Sequence, residues 1–172
     1  MLTMIELLIL YSIHKRENTI YGIRKNILDI FGAFTKPSIG TIHPALKRLM
    51  KANAVTLTER FSEGGKKSSY YSITEKGKQY FKDKFFNATS DNPSLFYTEL
   101  QIKLGTMGLL SIEDRKKFIT FFSRKIDIFE FELENTLNDE YLELDYFQSE
   151  LLKKTLKEIK ELKEYLRNLK VE

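Results

Sequence analysis

Ser38-Ile-Gly-Thr-Ile-His-Pro-Ala-Leu-Lys-Arg-Leu-Met-Lys51 is followed at once by Val55-Thr-Leu-Thr-Glu-Arg-Phe61 and, after a glycine-centred loop, by Ser69-Tyr-Tyr-Ser-Ile73. Ser38 is a residue type that caps helix N-termini, and Ile39, Ile42, Leu46 and Leu49 recur at the spacing of one buried stripe, so a helix is predicted as far as Ala52. Thr41, Pro44, Lys47, Arg48 and Lys51 then point away from the core. Pro44 lies close to the helix start, with Gly40 four residues before it, so it disturbs the helix little. The two stretches that follow alternate apolar and polar residues, the period of a strand. Ser62-Glu-Gly-Gly-Lys-Lys-Ser68 between them reads as a hairpin tip that carries Lys66 and Lys67. By parity, Tyr71 and Ile73 face inward.

Working outward, Thr3 and Glu6 have capping-box spacing and predict a helix from Met4 to about Lys15. Its apolar residues occupy most of the circumference, so several neighbours must cover it. His14, at its end, reads as a C-terminal capping cation. A turn over Arg16–Thr19 leads to a second helix, Ile20–Phe31, stopped by Gly32. Thr74 caps a fourth, from Glu75 to about Phe86. Three helices followed by a two-stranded hairpin describe a winged helix-turn-helix, mainly α, over residues 1–86. Residues 87–92 read as a linker, and 93–172 as a helical dimerisation and effector region. There Pro93 opens one helix, and Ser111 with Asp114 caps a long phenylalanine-rich one reaching about Leu137. A last helix from about Leu142 aligns Leu152, Ile159, Leu162, Leu166 and Leu169 on an a/d-like seam suited to a partner chain.

The 172 residues carry a formal charge of +4, but unevenly. Residues 1–84 hold 15 Lys and Arg against 7 Asp and Glu, a net of +8, and the remainder 13 against 17, a net of −4. A basic first half beside an acidic second half points to a polyanion meeting only the first; nucleic acid and an anionic membrane surface both qualify. With no cysteine and only His14 and His43, thiol chemistry, a zinc site and a Ser-His-Asp triad lack their parts. No catalytic residue, metal or cofactor is expected. The longest apolar run, Leu7–Tyr11, is far short of a membrane span, and the N-terminus lacks a basic leader and a cleavage site. A cytoplasmic protein with no membrane partner is expected.

In helix-turn-helix readers the last helix of the trio enters the major groove. Here it offers Ser38, Thr41, Lys47 and Arg48 outward, while Gly64-Gly65-Lys66-Lys67-Ser68 can lay amides and ammonium groups on the sugar-phosphate backbone. Arg48 is open between a phosphate and a nearby carboxylate. The competing reading is an ordinary solvated helix face and hairpin tip.

Tyr21-Gly22, Ser38-x-Gly-Thr-Ile-His-Pro-Ala-Leu-Lys-Arg-Leu49 and Gly64-Gly65-Lys-Lys-x-x-Tyr-Tyr-x-Ile-Thr-Glu-Lys-Gly77 together resemble the motifs of PadR-type transcriptional regulators, over roughly residues 1–86. The resemblance implies a winged-helix DNA reader, usually a repressor, joined to C-terminal dimerisation helices. It adds Tyr21 and His43 to the DNA-contacting set. His43 stands where the family commonly has tyrosine, which changes that contact. The resemblance also implies relatives that respond to small aromatic or cytotoxic compounds near the dimer interface. Phe118, Phe122 and Phe129 are the candidates to line such a pocket, or else plain interface core. The expectation is a homodimer that reads an inverted-repeat operator in double-stranded DNA and responds to a small hydrophobic effector. The alternative is a winged-helix protein-interaction module without sequence-specific DNA binding.

Overall fold

Helix α1 (Leu2–Ile13) is the post around which the first part of the chain is built. Leu7, Leu8, Ile9 and Leu10 are all fully buried, because α2 (Ile20–Phe31), α3 (Ile39–Lys51), α4 (Glu75–Phe86) and α5 (Pro93–Thr106) each pack against it. The computed structural model describes residues 2–61, 65, 67–86 and 93–171, with backbone only at Leu2, Thr3, Pro93 and Ser94. The helix starts two residues before the expected Met4, so Thr3, whose side chain lies outside the described residues, is within it and not ahead of it. Glu6 therefore serves no capping box; its carboxylate bonds Arg48 and Tyr80. At the other end α1 stops at Ile13, where His14 Nδ1 lies 2.7 Å from the Tyr11 carbonyl.

The turn into α2 is tied to the wing. Asn18 exchanges backbone hydrogen bonds with Tyr71 (3.0 and 2.8 Å), and the Thr19 side chain caps α2 by accepting from Gly22 N–H. A Cβ on Gly22 would lie 1.8 Å from Asn18 Oδ1, so a larger residue there would have to displace the Asn18 side chain from its bond to Thr19 N–H. α3 begins as expected, with Ser38 Oγ accepting from Thr41 N–H at 3.2 Å, and buries Ile42, Ala45, Leu46 and Leu49 completely. It ends at Ala52; Asn53 takes a left-handed conformation (φ 56°) and turns the chain into the wing.

Strands β1 (Val55–Phe61) and β2 (Lys67–Ile73) pair antiparallel from Val55 opposite Ile73 to Phe61 opposite Lys67. Pairing thus extends two residues nearer the tip than the alternation from Ser69 indicates. Tyr71 is buried as parity predicts, while Ile73 is half-buried. Burial pushes the Tyr71 hydroxyl pKa above its ordinary value. α4 follows with Thr74 Oγ1 accepting from Gly77 N–H (2.9 Å) and donating to Asn53 O (2.7 Å). Gly77 is pressed on the α3–β1 corner: a Cβ there would stand 2.1 Å from the Ala54 carbonyl oxygen.

The chain divides into two units, Met1–Leu109 and Leu110–Glu172. α5 belongs to the first, because Phe96, Leu100 and Ile102 are buried, α5 packs on α1, and Gly105 lies against the Phe31 ring. The linker expected at 87–92 lies outside the described residues, and the division falls after α5 and the 3-10 turn Met107–Leu109.

The second unit is a hairpin of α6 (Ile112–Asn138) and α7 (Tyr146–Asn168). Ser111 caps α6 as expected, accepting from Asp114 N–H at 3.2 Å. α7 starts four residues later than the expected Leu142, because Asp145 and Gln148 form a capping box (2.8 and 3.0 Å), leaving Tyr141 and Leu142 in the connection. Lys160 meets Glu134 at 2.7 Å and Lys163 meets Asp127 at 2.7 Å, an order that makes the helices antiparallel.

Candidate nucleic-acid interface

The outer side of α3 is polar because its inner side is not. With Ile42, Leu46 and Leu49 fixed inward, Thr41, His43, Pro44, Lys47 and Lys51 are all exposed, as is the cap Ser38. Ser38 and Thr41 also join hydroxyl to hydroxyl at 3.1 Å, so the first turn presents two linked hydroxyls. Gly40 is open: the nearest atom a Cβ would meet is Ser38 Oγ, at 3.5 Å. Nothing inside the protein demands glycine there, and its smallness leaves room for an external surface to approach. Arg24 Nε donates to Pro37 O at 3.3 Å and holds α2 to the segment that leads into α3.

The cations differ in their partners. Among the described residues Lys36, Lys47 and Lys51 enter no ion pair. Arg48 is bound to Glu6, Nε to Oε1 at 2.8 Å, so of its two open partners the structure supplies the carboxylate. In the wing, Lys67 Nζ meets Glu59 Oε1 at 2.8 Å, with the two side chains 52% and 48% exposed. Such a wetted pair is worth at most about 1 kcal/mol and yields readily to a phosphate. Arg60 pairs with Glu17 and lies 5.1 Å over the Tyr70 ring. Ser68 is half-buried opposite Arg60, and Gly65 has a left-handed φ of 74° with open space around it, the conformation a hairpin tip requires. Gly64 and Lys66 lie outside the described residues. Tyr21 is 72% exposed on the first turn of α2.

Sequence reasoning put Glu6 in the wrong role and did not single out the unpaired Lys36 or Lys51 as candidate contacts. Lys51 was legible from the α3 stripe. Glu6 was not, because its partners are 42 and 74 residues away. Tyr80 donates its hydroxyl to Glu6 at 2.9 Å, and burial together with that carboxylate pushes its pKa up to about 12.

In the second unit the seam expected for a partner is partly spent inside the hairpin. Ile159 and Leu166 are buried within the single chain, flanking Lys163 on the side of α7 that meets α6, while Leu152, Leu162 and Leu169 are half-buried. The apolar groups left outside are others, among them Phe121, Ile128 and Phe131 on α6 and Tyr146, Phe147 and Leu151 on α7. Phe118 and Phe122 are buried with ring centroids 4.4 Å apart, a close-packed pair that a ligand would have to part, and Phe129 is half-buried. Among the described residues no group of three or more His, Asp or Glu is placed to hold a metal ion, and no helix is long and apolar enough to cross a membrane.

Residues 9–83 match the transcriptional regulator PadR-like family, whose members are regulators and not enzymes. No curated protein matches the chain. Similar solved structures include a PadR family transcription regulator from Clostridium difficile R20291, at 28% identity over 46% of this chain and 81% of that one, with a TM-score of 0.41. Bacillus subtilis PadR in complex with operator DNA aligns at 20% identity over 94% and 93%, TM-score 0.46. The same protein in complex with p-coumaric acid aligns at 20% over 96% and 93%, TM-score 0.41.

Proposed function

We propose, from the match of residues 9–83 to the transcriptional regulator PadR-like family, that this chain is a cytoplasmic homodimeric repressor that binds an inverted-repeat operator in double-stranded DNA. The observation that carries the reading is the outer face of α3, where unpaired Lys47 and Lys51 stand beside Thr41, His43 and an uncrowded Gly40, on the helix that winged helix-turn-helix proteins insert in the major groove. Thr41 and Lys47 reach base edges; Ser38, Tyr21 and His43 flank them; Lys51, Lys66, Lys67 and Ser68 hold phosphates. The wing pair Lys67–Glu59 opens when phosphate replaces the carboxylate.

Dimerisation uses the apolar groups the hairpin leaves exposed, Phe121, Ile128 and Phe131 with Phe147 and Leu151, since a monomer would carry them as a sticky patch. A two-fold axis then sets two reading helices about one or two DNA turns apart, ~34 Å per turn. A small hydrophobic effector, if it parts the Phe118–Phe122 pair beside Phe129, acts by binding the free and operator-bound states unequally.

Mobility shifts of the full chain on the duplex upstream of its own gene, against a shuffled duplex of equal length, test the reading. Preferential retardation of the upstream duplex supports it, and equal, salt-labile binding to both or none to either refutes it. In the latter case capture of an acidic protein partner by the same basic face becomes the better account. Sedimentation at micromolar concentration showing only monomer removes the dimer, and titration of the bound complex with small aromatic compounds tests the effector.

A further inference from the structure

Glu6, Arg48 and Tyr80 come from three helices, α1, α3 and α4, and meet beneath the flank of the reading helix. Glu6 is 5% exposed; its Oε1 accepts from Arg48 Nε at 2.8 Å and its Oε2 from the Tyr80 hydroxyl at 2.9 Å. A carboxylate so far from water needs a counter-charge and donors such as these. Arg48 has a second nitrogen turned the same way: Nη2 is buried and has no hydrogen-bond partner, while Tyr80 occupies Oε2. The Nε and Nη2 donors form the fork with which arginine grips a phosphate on two points, and here that fork faces protein. Arg48 also leaves α3 on the flank it shares with Thr41, seven residues earlier, whereas Lys47 and Lys51 share the outermost row.

We propose that Glu6 and Tyr80 are positioning residues that withhold Arg48 from the duplex, so that α3 meets DNA with its lysines and not with its arginine. The inference rests on the DNA-binding reading above. The Arg48 side chain is 41% exposed, but its Nε–Nη2 fork is the part turned to Glu6; for that fork to take a phosphate it must desert a buried anion and leave it with a tyrosine alone, a loss that one exposed phosphate contact does not offset. To an approaching duplex the Arg48–Glu6 pair is neutral, and the positive charge presented by α3 is confined to Lys47 and Lys51. Sequence alone counts three cations on this helix face; two of them act.

The salt dependence of affinity separates the roles, since each phosphate neutralised contributes about 0.9 to the slope of log K against log salt. The full chain is compared with Arg48→Met, Glu6→Gln and the double variant on one duplex, with circular dichroism as the check on folding. Arg48→Met is expected to leave the slope unchanged. Glu6→Gln keeps the shape and a hydrogen-bonding oxygen but frees the charge, and should steepen the slope by about 0.9. Adding Arg48→Met to Glu6→Gln should restore the wild-type value. The double variant buries no charge and decides the matter where either single change fails to fold: a slope equal to wild type supports the proposal, and one flatter by about 0.9 overturns it. Should the wild-type chain bind no duplex at all, the DNA-binding reading fails and this proposal goes with it; a binding wild type with a flatter double variant overturns this proposal alone.

Discussion

Replacing Lys51 by alanine should weaken DNA binding by the same factor on every sequence and flatten its dependence on salt. The magnitude follows from the lysine's surroundings. Lys51 is exposed in the last turn of α3 and enters no ion pair among the described residues, so its whole charge is available to a phosphate. One such contact carries a slope of about 0.9, so between 50 and 200 mM salt the wild type should lose about 3.5-fold more affinity than the variant. Lys47, one turn nearer the helix start, should behave differently. Lying over base edges, it should flatten the slope and also narrow the preference for the operator over a shuffled duplex by about 1–3 kcal/mol. Fluorescence anisotropy on both duplexes across a salt series measures slope and preference together. A Lys51→Ala variant with the wild-type slope, or one that changes sequence preference while Lys47→Ala does not, would refute the assignment of the two lysines and the orientation of α3 with it.

In the wing, Lys67→Ala should lower affinity for all sequences alike and flatten the slope by about 0.9, read in the same titration; an unchanged slope means that Glu59 keeps its partner in the complex. Gly77→Ala places a methyl group 2.1 Å from the Ala54 carbonyl oxygen, against backbone that cannot yield cheaply. It should destabilise the first unit by about 1–3 kcal/mol, seen as a fall in melting temperature of roughly 2–12 °C. The Tyr80 hydroxyl, with its pKa pushed up to about 12 from an ordinary 10.0, favours the protonated form in the folded state. Its stabilising contribution is therefore complete below pH 10 and is lost as the pH rises through 12, a component of alkaline unfolding that Tyr80→Phe should remove. Phe131→Glu together with Phe147→Glu puts charge on the exposed apolar groups of the hairpin and should shift sedimentation from dimer to monomer while leaving helix content intact.

Much of the first unit was legible because its signals are local. A cap residue and an apolar stripe decide α3 within thirteen residues, and the period of two decides the wing within seven. Where local signals competed, the reading went astray. Thr3 and Glu6 have the spacing of a capping box, but the carboxylate at position 6 faces the interior, where Arg48 and Tyr80 donate to it. Leu142 belongs to an apolar pattern, yet Asp145 with Gln148 starts the helix later, since satisfying free N–H groups outweighs extending the stripe. Ile159 and Leu166 look like half of an intermolecular seam because periodicity shows that a face is buried and says nothing of what buries it.

Composition and pattern by themselves determined that the chain folds as a winged helix-turn-helix with a helical extension, that its basic charge sits in the first half, and that it has no cysteine for thiol chemistry. Only the tertiary structure decided which cations are free and which are matched, that Glu6 belongs to Arg48, that α5 completes the first core, and that part of the C-terminal seam is consumed within one chain. The physical reason is range. Caps, stripes and alternation are set by neighbours a few residues apart, whereas the state of a charge depends on whatever the fold brings within a few ångströms, however distant it is along the chain.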